Sequence, residues 1–204
     1  MLYDISPPLT PDLPVWPGDT PLQREVLQDL SLGDSVTLST LHTTVHLGAH
    51  ADAPSHYLTG GQGIGGLELE PFLGPCQVIE VRAERGEYFD FTALQDEPSA
   101  PRILFRTGTF DRYAFNTDFA VPAAALVDEL HAMGVVLIGM DSPSVDLFGS
   151  KDLPTHRMLG RHGMANLEGL QLEEVPPGHY ELIALPLKLV GFDGSPVRAV
   201  LRKQ

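Results

Sequence analysis

Four of the eight histidines fall between positions 42 and 56, where a uniform spread along the chain would put about 0.6. The stretch reads His46-Leu47-Gly48-Ala49-His50-Ala51-Asp52-Ala53-Pro54-Ser55-His56. His42, His46, His50, Asp52 and His56 all carry even numbers, and on an extended chain of period two such side chains project to one side. Gly48 and Pro54 prevent a regular helix and let the backbone bend about a point. Ala49, Ala51 and Ala53 are small enough for close packing. Any one of these histidines taken alone reads as part of a histidine-rich surface strand. Together they leave the aspartate needing solvent or a cation to balance it, and imidazole plus carboxylate is the ligand set of Zn²⁺, with Mn²⁺ and Fe²⁺ as competitors. Metal binding is the chemistry this segment predicts.

A second group of polar residues follows later. Asp141-Ser142-Pro143-Ser144-Val145-Asp146 comes directly after the apolar run Val135–Met140, and Leu153-Pro154-Thr155-His156 and Asn166-Leu167-Glu168 lie beyond it. In open α/β sheets ligands collect at the carboxyl ends of strands, so a loop rich in Asp and Ser after Met140 is well placed. Ser142 and Ser144 read as turn formers, because the chain contains no Gly-x-Ser-x-Gly elbow that would activate a serine nucleophile.

The elements that must position these groups read as a β-rich mixed fold, since 18 prolines and 20 glycines demand many turns. Prolines at 7, 8, 11, 14, 17 and 21 make the first segment an extended arm, and this arm carries Trp16, the only tryptophan. Strand or extended chain is expected from Ser35 to His46, and strands at Gln77–Arg82, Arg102–Arg106, Val135–Met140, Tyr180–Leu189 and Pro196–Leu201. A helix should open at Pro122 and stop at Gly134, with His131 in its last turn as a structural cation. Helix followed by a continuous apolar strand is the pattern of parallel pairing. The run Gly60-Gly61-Gln62-Gly63-Ile64-Gly65-Gly66 lacks the flanking strand and helix of a dinucleotide fingerprint and reads as a loop beside the site.

Composition narrows the partners. A chain of 204 residues, 43% hydrophobic and 20% charged, suits one packed domain, and no repeat or linker divides residues 1–204. Its formal net charge of −14 repels phosphate backbones and anionic lipid, which excludes nucleic-acid and membrane-surface roles. The first residues lack the charged-then-apolar pattern of a leader and no apolar run is long enough to span a bilayer, so a cytoplasmic protein is expected. Cys76 is the single cysteine, so any metal is held by His and carboxylate.

These residues are also familiar as a set. His46-x-Gly48-Ala49-His50-x-Asp52-Ala53-Pro54-x-His56 closely resembles the signature of the metal-dependent cyclase-like hydrolases, usually His-x-Gly-Thr-His-x-Asp-x-Pro-x-His. Within that superfamily the chain resembles the bacterial kynurenine formamidases, or arylformamidases. This narrower likeness rests on Asp4-Ile5-Ser6, Val15-Trp16-Pro17-Gly18-Asp19-Thr20-Pro21, and Ser144-Val145-Asp146 with Ser150-Lys151 and His156 beyond. It runs from the first residues to about Glu168 and more weakly to the end. Ala49 replaces the superfamily's common Thr, as formamidases often do, whereas Ser55 and Leu147-Phe148 depart from the formamidase pattern at positions expected near the pocket.

The resemblance implies a compact β/β/α, swivelling-domain-like fold with a mixed, barrel-like sheet and few helices. It implies two metal ions per subunit, zinc first and manganese as the alternative, with His46 and His50 on one, His156 on the other, and Asp52 and Glu168 touching both. It further implies hydrolysis of N-formyl-L-kynurenine to L-kynurenine and formate by a metal-activated water, His56 as proton carrier, Trp16 against the aryl ring, and a homodimer in which Trp16's arm crosses between subunits. The alternatives are opening of a cyclic amide such as isatin, and a metal-binding protein without catalysis.

Overall fold

Among the described residues, 1–203 of a computed structural model, the chain forms thirteen strands and three α-helices. In chain order they are β1 (Leu2–Asp4), β2 (Gln23–Gln28), β3 (Leu38–His42), β4 (His50–Asp52), α1 (Pro54–Tyr57), β5 (Leu73–Glu80), β6 (Tyr88–Phe89), β7 (Arg102–Arg106), β8 (Val121–Pro122), α2 (Ala124–Ala132), β9 (Leu137–Met140), α3 (Pro154–His162), β10 (Ala165–Glu168), β11 (Gly178–Ile183), β12 (Gly194–Pro196) and β13 (Val200–Arg202). Nine strands make one curled sheet in the order β1-β13-β11-β5-β7-β9-β10-β4-β12. Its centre, β5-β7-β9-β10, is parallel and both flanks are antiparallel. The fold is therefore mixed α/β with few helices, as expected.

Alternation along the central strands splits the core in two. Val78, Leu104 and Leu137 face a cluster that also takes in Ile5, Leu167, Leu182 and Leu201. Ile79, Ile103, Phe105, Ile138 and Met140 face the other side, where Leu126, Val127 and Leu130 of α2 and Leu159 of α3 cover them. Being buried on both faces, β7 and β9 read as continuous apolar runs rather than as alternating ones. The predicted helix starts two residues later than Pro122, which pairs in β8.

Four sequence expectations need correction. Strand pairing in Tyr180–Leu189 ends at Ile183, and the last segment is two strands, β12 and β13, rather than one. Only Leu38–His42 of the stretch from Ser35 to His46 is strand, paired with β2 in a hairpin that stands off the main sheet. The histidine-rich segment is not one extended chain either. Gly48 takes φ +61°, Pro54 starts a helical turn, and only His50–Asp52 is strand. His42 consequently sits on the exposed hairpin against Glu25, away from the other four.

Candidate metal centre and its pocket

β4 lies between β10 and β12, and its register with β10 sets Glu168 opposite His50. That pairing puts the carboxylates of Asp52 and Glu168 in one buried space, each residue no more than 3% exposed. His50 and His156 both reach them. His50 Nε2 lies 3.3 Å from Glu168 Oε2 and 3.5 Å from Asp52 Oδ1, and His156 Nε2 lies 3.4 Å from both Asp52 Oδ2 and Glu168 Oε1. His46, in the turn before β4, brings Nδ1 to 2.9 Å from Asp52 Oδ1. His56, on α1, sits at the open edge with its ring centroid 4.3 Å from that of His46.

Two ionised carboxylates side by side in a buried space repel, so something positive must hold them. No Lys or Arg pairs with either among the described residues. In the protein without metal the charge comes from the imidazoles. Burial opposes protonation of His46, yet Asp52, Asp193 and Glu168 beside it push it up to about 9. Burial likewise opposes protonation of His50, where Glu168 and Asp52 win, and of His156, which Asp146, Asp52 and Glu168 raise well above the usual histidine range. Against their own burial, these same contacts hold Asp52 and Glu168 below the ordinary carboxylate range.

The donor set fits a metal. Asp52 Oδ1 is buried without a hydrogen bond; His46 Nδ1 is close to it but out of line for an N–H donor, which is how two ligands of one ion approach each other. The atoms of His50, Asp52 and Glu168 converge as a group able to hold a cation, and so do those of His46, Asp52 and His56.

Surrounding residues fix the orientation of each ligand. Asn166 donates to Asp52 Oδ2 at 2.7 Å and to Glu168 Oε1 at 3.1 Å, and the Val145 N–H donates to Glu168 Oε1 at 3.0 Å. His50 Nδ1 donates to the Gly48 carbonyl at 2.8 Å, and Asp146 takes His156 Nδ1 at 2.8 Å. Ser142 and Ser144 shape that loop: Ser142 Oγ donates to the Ser144 carbonyl and Ser144 Oγ accepts the Asp146 N–H.

A cavity of about 300 Å³ opens on this cluster. One wall is aromatic: the Trp16 ring lies 4.8 Å from Phe148 and 5.9 Å, edge-on, from Phe115. Trp16's arm lies against the cavity of its own chain. Of the two departures noted in sequence, Leu147-Phe148 lines the cavity. Ser55 does not, and its N–H is tied to Gln62 of the glycine-rich loop, which braces α1 instead of lining the pocket.

The sequence reading brought together His46, His50, Asp52, His56, His156, Glu168 and Trp16, and all seven meet at this site. It missed Asp193, whose Oδ2 is 3.0 Å from His46 Nε2 and 3.4 Å from His56 Nδ1. It also gave no role to Asn166 or Asp146. Asp193 lies 137 residues from His56, and its only local signal is the turn-like Asp193-Gly194 where β12 begins.

Residues 3–147 match the model of the Cyclase family, described as "Putative cyclase". The chain belongs to the Cyclase family. His46, His50, Asp52 and His56 lie inside the matched span, and His156 and Glu168 follow it. Among solved structures, this cyclase-family chain is similar to a "potential metal-dependent hydrolase with cyclase activity" at 27% identity and TM-score 0.82, covering 100% of this chain and 99% of that one. It is also similar to a "predicted metal-dependent hydrolase from Bacillus stearothermophilus" at 29% identity and TM-score 0.81, covering 98% and 97%. Isatin hydrolase A from Ralstonia solanacearum shares the fold at 23% identity and TM-score 0.81, over 98% of this chain and 91% of that one.

Proposed function

We propose that this cyclase-family chain is a metal-dependent hydrolase that cleaves the formamide of N-formyl-L-kynurenine, releasing L-kynurenine and formate. The observation that carries the reading is the aromatic wall of Trp16, Phe115 and Phe148 facing a buried cluster of three histidines and two carboxylates. An aryl ring finds a flat partner on one side of the cavity, while its amide reaches the polar end.

In this reading His46, His50, Asp52, His156 and Glu168 would hold two zinc ions, and the charge of Asp52 and Glu168 would offset the repulsion between the cations. Divalent cations there would polarise the formyl carbonyl and make a water acidic enough to ionise near neutral pH. The C–N bond of the formamide breaks, a C–O bond to the water oxygen forms, and the anilide nitrogen must gain a proton to leave. In this reading His56 delivers it, a role supported by its position, partly exposed at the cavity mouth and outside the buried set. The same reading includes a homodimer, tested by light scattering.

Opening of a cyclic aryl amide such as isatin would use the same wall and cluster. The two readings separate by turnover of N-formyl-L-kynurenine and of isatin by zinc-loaded protein, beside a chelated sample. Kynurenine formation abolished by the chelator supports the formamidase; turnover of isatin alone moves the assignment to the cyclic amide.

A further inference from the structure

The three histidines that face the carboxylate pair follow one rule. Each turns one ring nitrogen toward Asp52 or Glu168 and rests the other on a fixed oxygen: His50 Nδ1 on the Gly48 carbonyl, His156 Nδ1 on Asp146, and His46 Nε2 on Asp193 at 3.0 Å. The Asp193 oxygen differs from the other two in having a second imidazole on it, His56 Nδ1 at 3.4 Å.

Asp193 is held where this requires it. Its carbonyl accepts the Ala53 N–H at 2.8 Å, and the preceding Phe192 carbonyl accepts the Ile64 N–H at 2.9 Å. The next residue, Gly194, pairs with Asp52 across β12 and β4. A Cβ at Gly194 would lie 2.8 Å from His46 Cε1 and 3.1 Å from the Ala51 carbonyl, so a glycine there lets the imidazole lie against the strand. The carboxylate is half exposed, but the backbone carrying it is anchored on both sides.

A carboxylate only accepts, so each nitrogen that touches Asp193 carries the proton. On His46 that makes Nδ1, on the Asp52 side of the ring, the nitrogen left to take a cation. On His56 it leaves Nε2, which has no hydrogen-bond partner among the described residues, as the nitrogen able to exchange a proton. We propose that Asp193 is a positioning residue for the hydrolysis, setting through one oxygen both the tautomer of the ligand His46 and that of the proton carrier His56. This rests on the function proposed above, and it adds a residue that couples ligand and carrier.

The test compares Asp193→Asn, His56→Ala and the double variant, loaded with Zn²⁺. Competition with a chromophoric chelator should show Asp193→Asn binding the ion about 10- to 100-fold more weakly, with His56→Ala near wild type. At saturating Zn²⁺, Asp193→Asn should lower kcat on N-formyl-L-kynurenine with KM little changed, and should cost nothing further in the His56→Ala background. Independently of any substrate, ¹⁵N NMR of the Zn²⁺-loaded protein should report the Nδ1–H form of His56 and lose that preference in Asp193→Ala. Unchanged Zn²⁺ affinity in Asp193→Asn, or a mixed His56 tautomer in the wild type, overturns the proposal. If the wild type turns over neither substrate, the function proposed above fails while the affinity and NMR measurements still decide the role of Asp193.

Discussion

One carboxylate oxygen of Asp146 receives His156 twice, accepting its backbone N–H at 3.0 Å and its ring Nδ1 at 2.8 Å. The other oxygen accepts the Thr155 N–H at 3.0 Å. Asp146 thereby does for the start of α3 what the residue in the capping position, Leu153, cannot, since Leu153 has no acceptor side chain. An anion also suits that end of the helix dipole. The same contact fixes which nitrogen of His156 is protonated and directs Nε2 at Asp52 and Glu168.

Asp146→Ala is expected to weaken Zn²⁺ binding by about 10- to 100-fold through the misaimed imidazole and to lower stability by roughly 1 kcal/mol through the lost cap. Chelator competition and urea unfolding of the metal-free protein measure the two effects separately. Undiminished Zn²⁺ affinity would show that His156 does not depend on Asp146 for its aim.

Asp52→Ala and Glu168→Ala should each abolish stoichiometric metal binding, because each residue faces at least two of the histidines. Metal analysis after gel filtration checks this. Retention of two ions by Asp52→Ala would remove it from the bridging position.

Trp16→Ala and Phe148→Ala should raise KM for an aryl formamide about tenfold with kcat nearly unchanged, since they offer a stacking surface remote from the bond that breaks. Steady-state kinetics decide it. An equal fall in kcat with unaltered KM would mean the wall acts on the transition state.

Zinc binding to the metal-free protein at pH 7 should release protons. His46, pushed up to about 9, and His50 and His156, both raised, carry protons there that a metal must displace, while Asp52 and Glu168 are already ionised. Calorimetry in buffers of different ionisation enthalpy counts them, and affinity should fall as pH falls. The same shift has a stability sign. A raised His46 pKa stabilises the metal-free fold fully below 6.5, its ordinary value, and this stabilisation is lost as pH rises through 9. Urea midpoints of the metal-free protein should therefore fall across that window, and a rise would contradict the assignment.

Much of the site was legible before folding because its ligands are chemically distinctive and locally dense. His46, His50, Asp52 and His56 lie within eleven residues, and no apolar core explains four such groups together. The parallel centre was also readable, as continuous apolar strands and a helix stopped by glycine follow local rules. Period-two logic failed in the same segment: Gly48 and Pro54 break the strand, so His42 goes to the hairpin while His46 and His56 are carried by a turn and α1. Sequence by itself determined which residue types can bind a metal and that aromatic and acidic segments accompany them. Only the tertiary structure decided that Asp146 serves His156, that Asp193 serves both His46 and His56, and that Phe115 and Phe148 face Trp16. The reason is physical: these pairings run between separate strands and loops, so their distances are set by sheet order and register, which no local pattern of residues encodes.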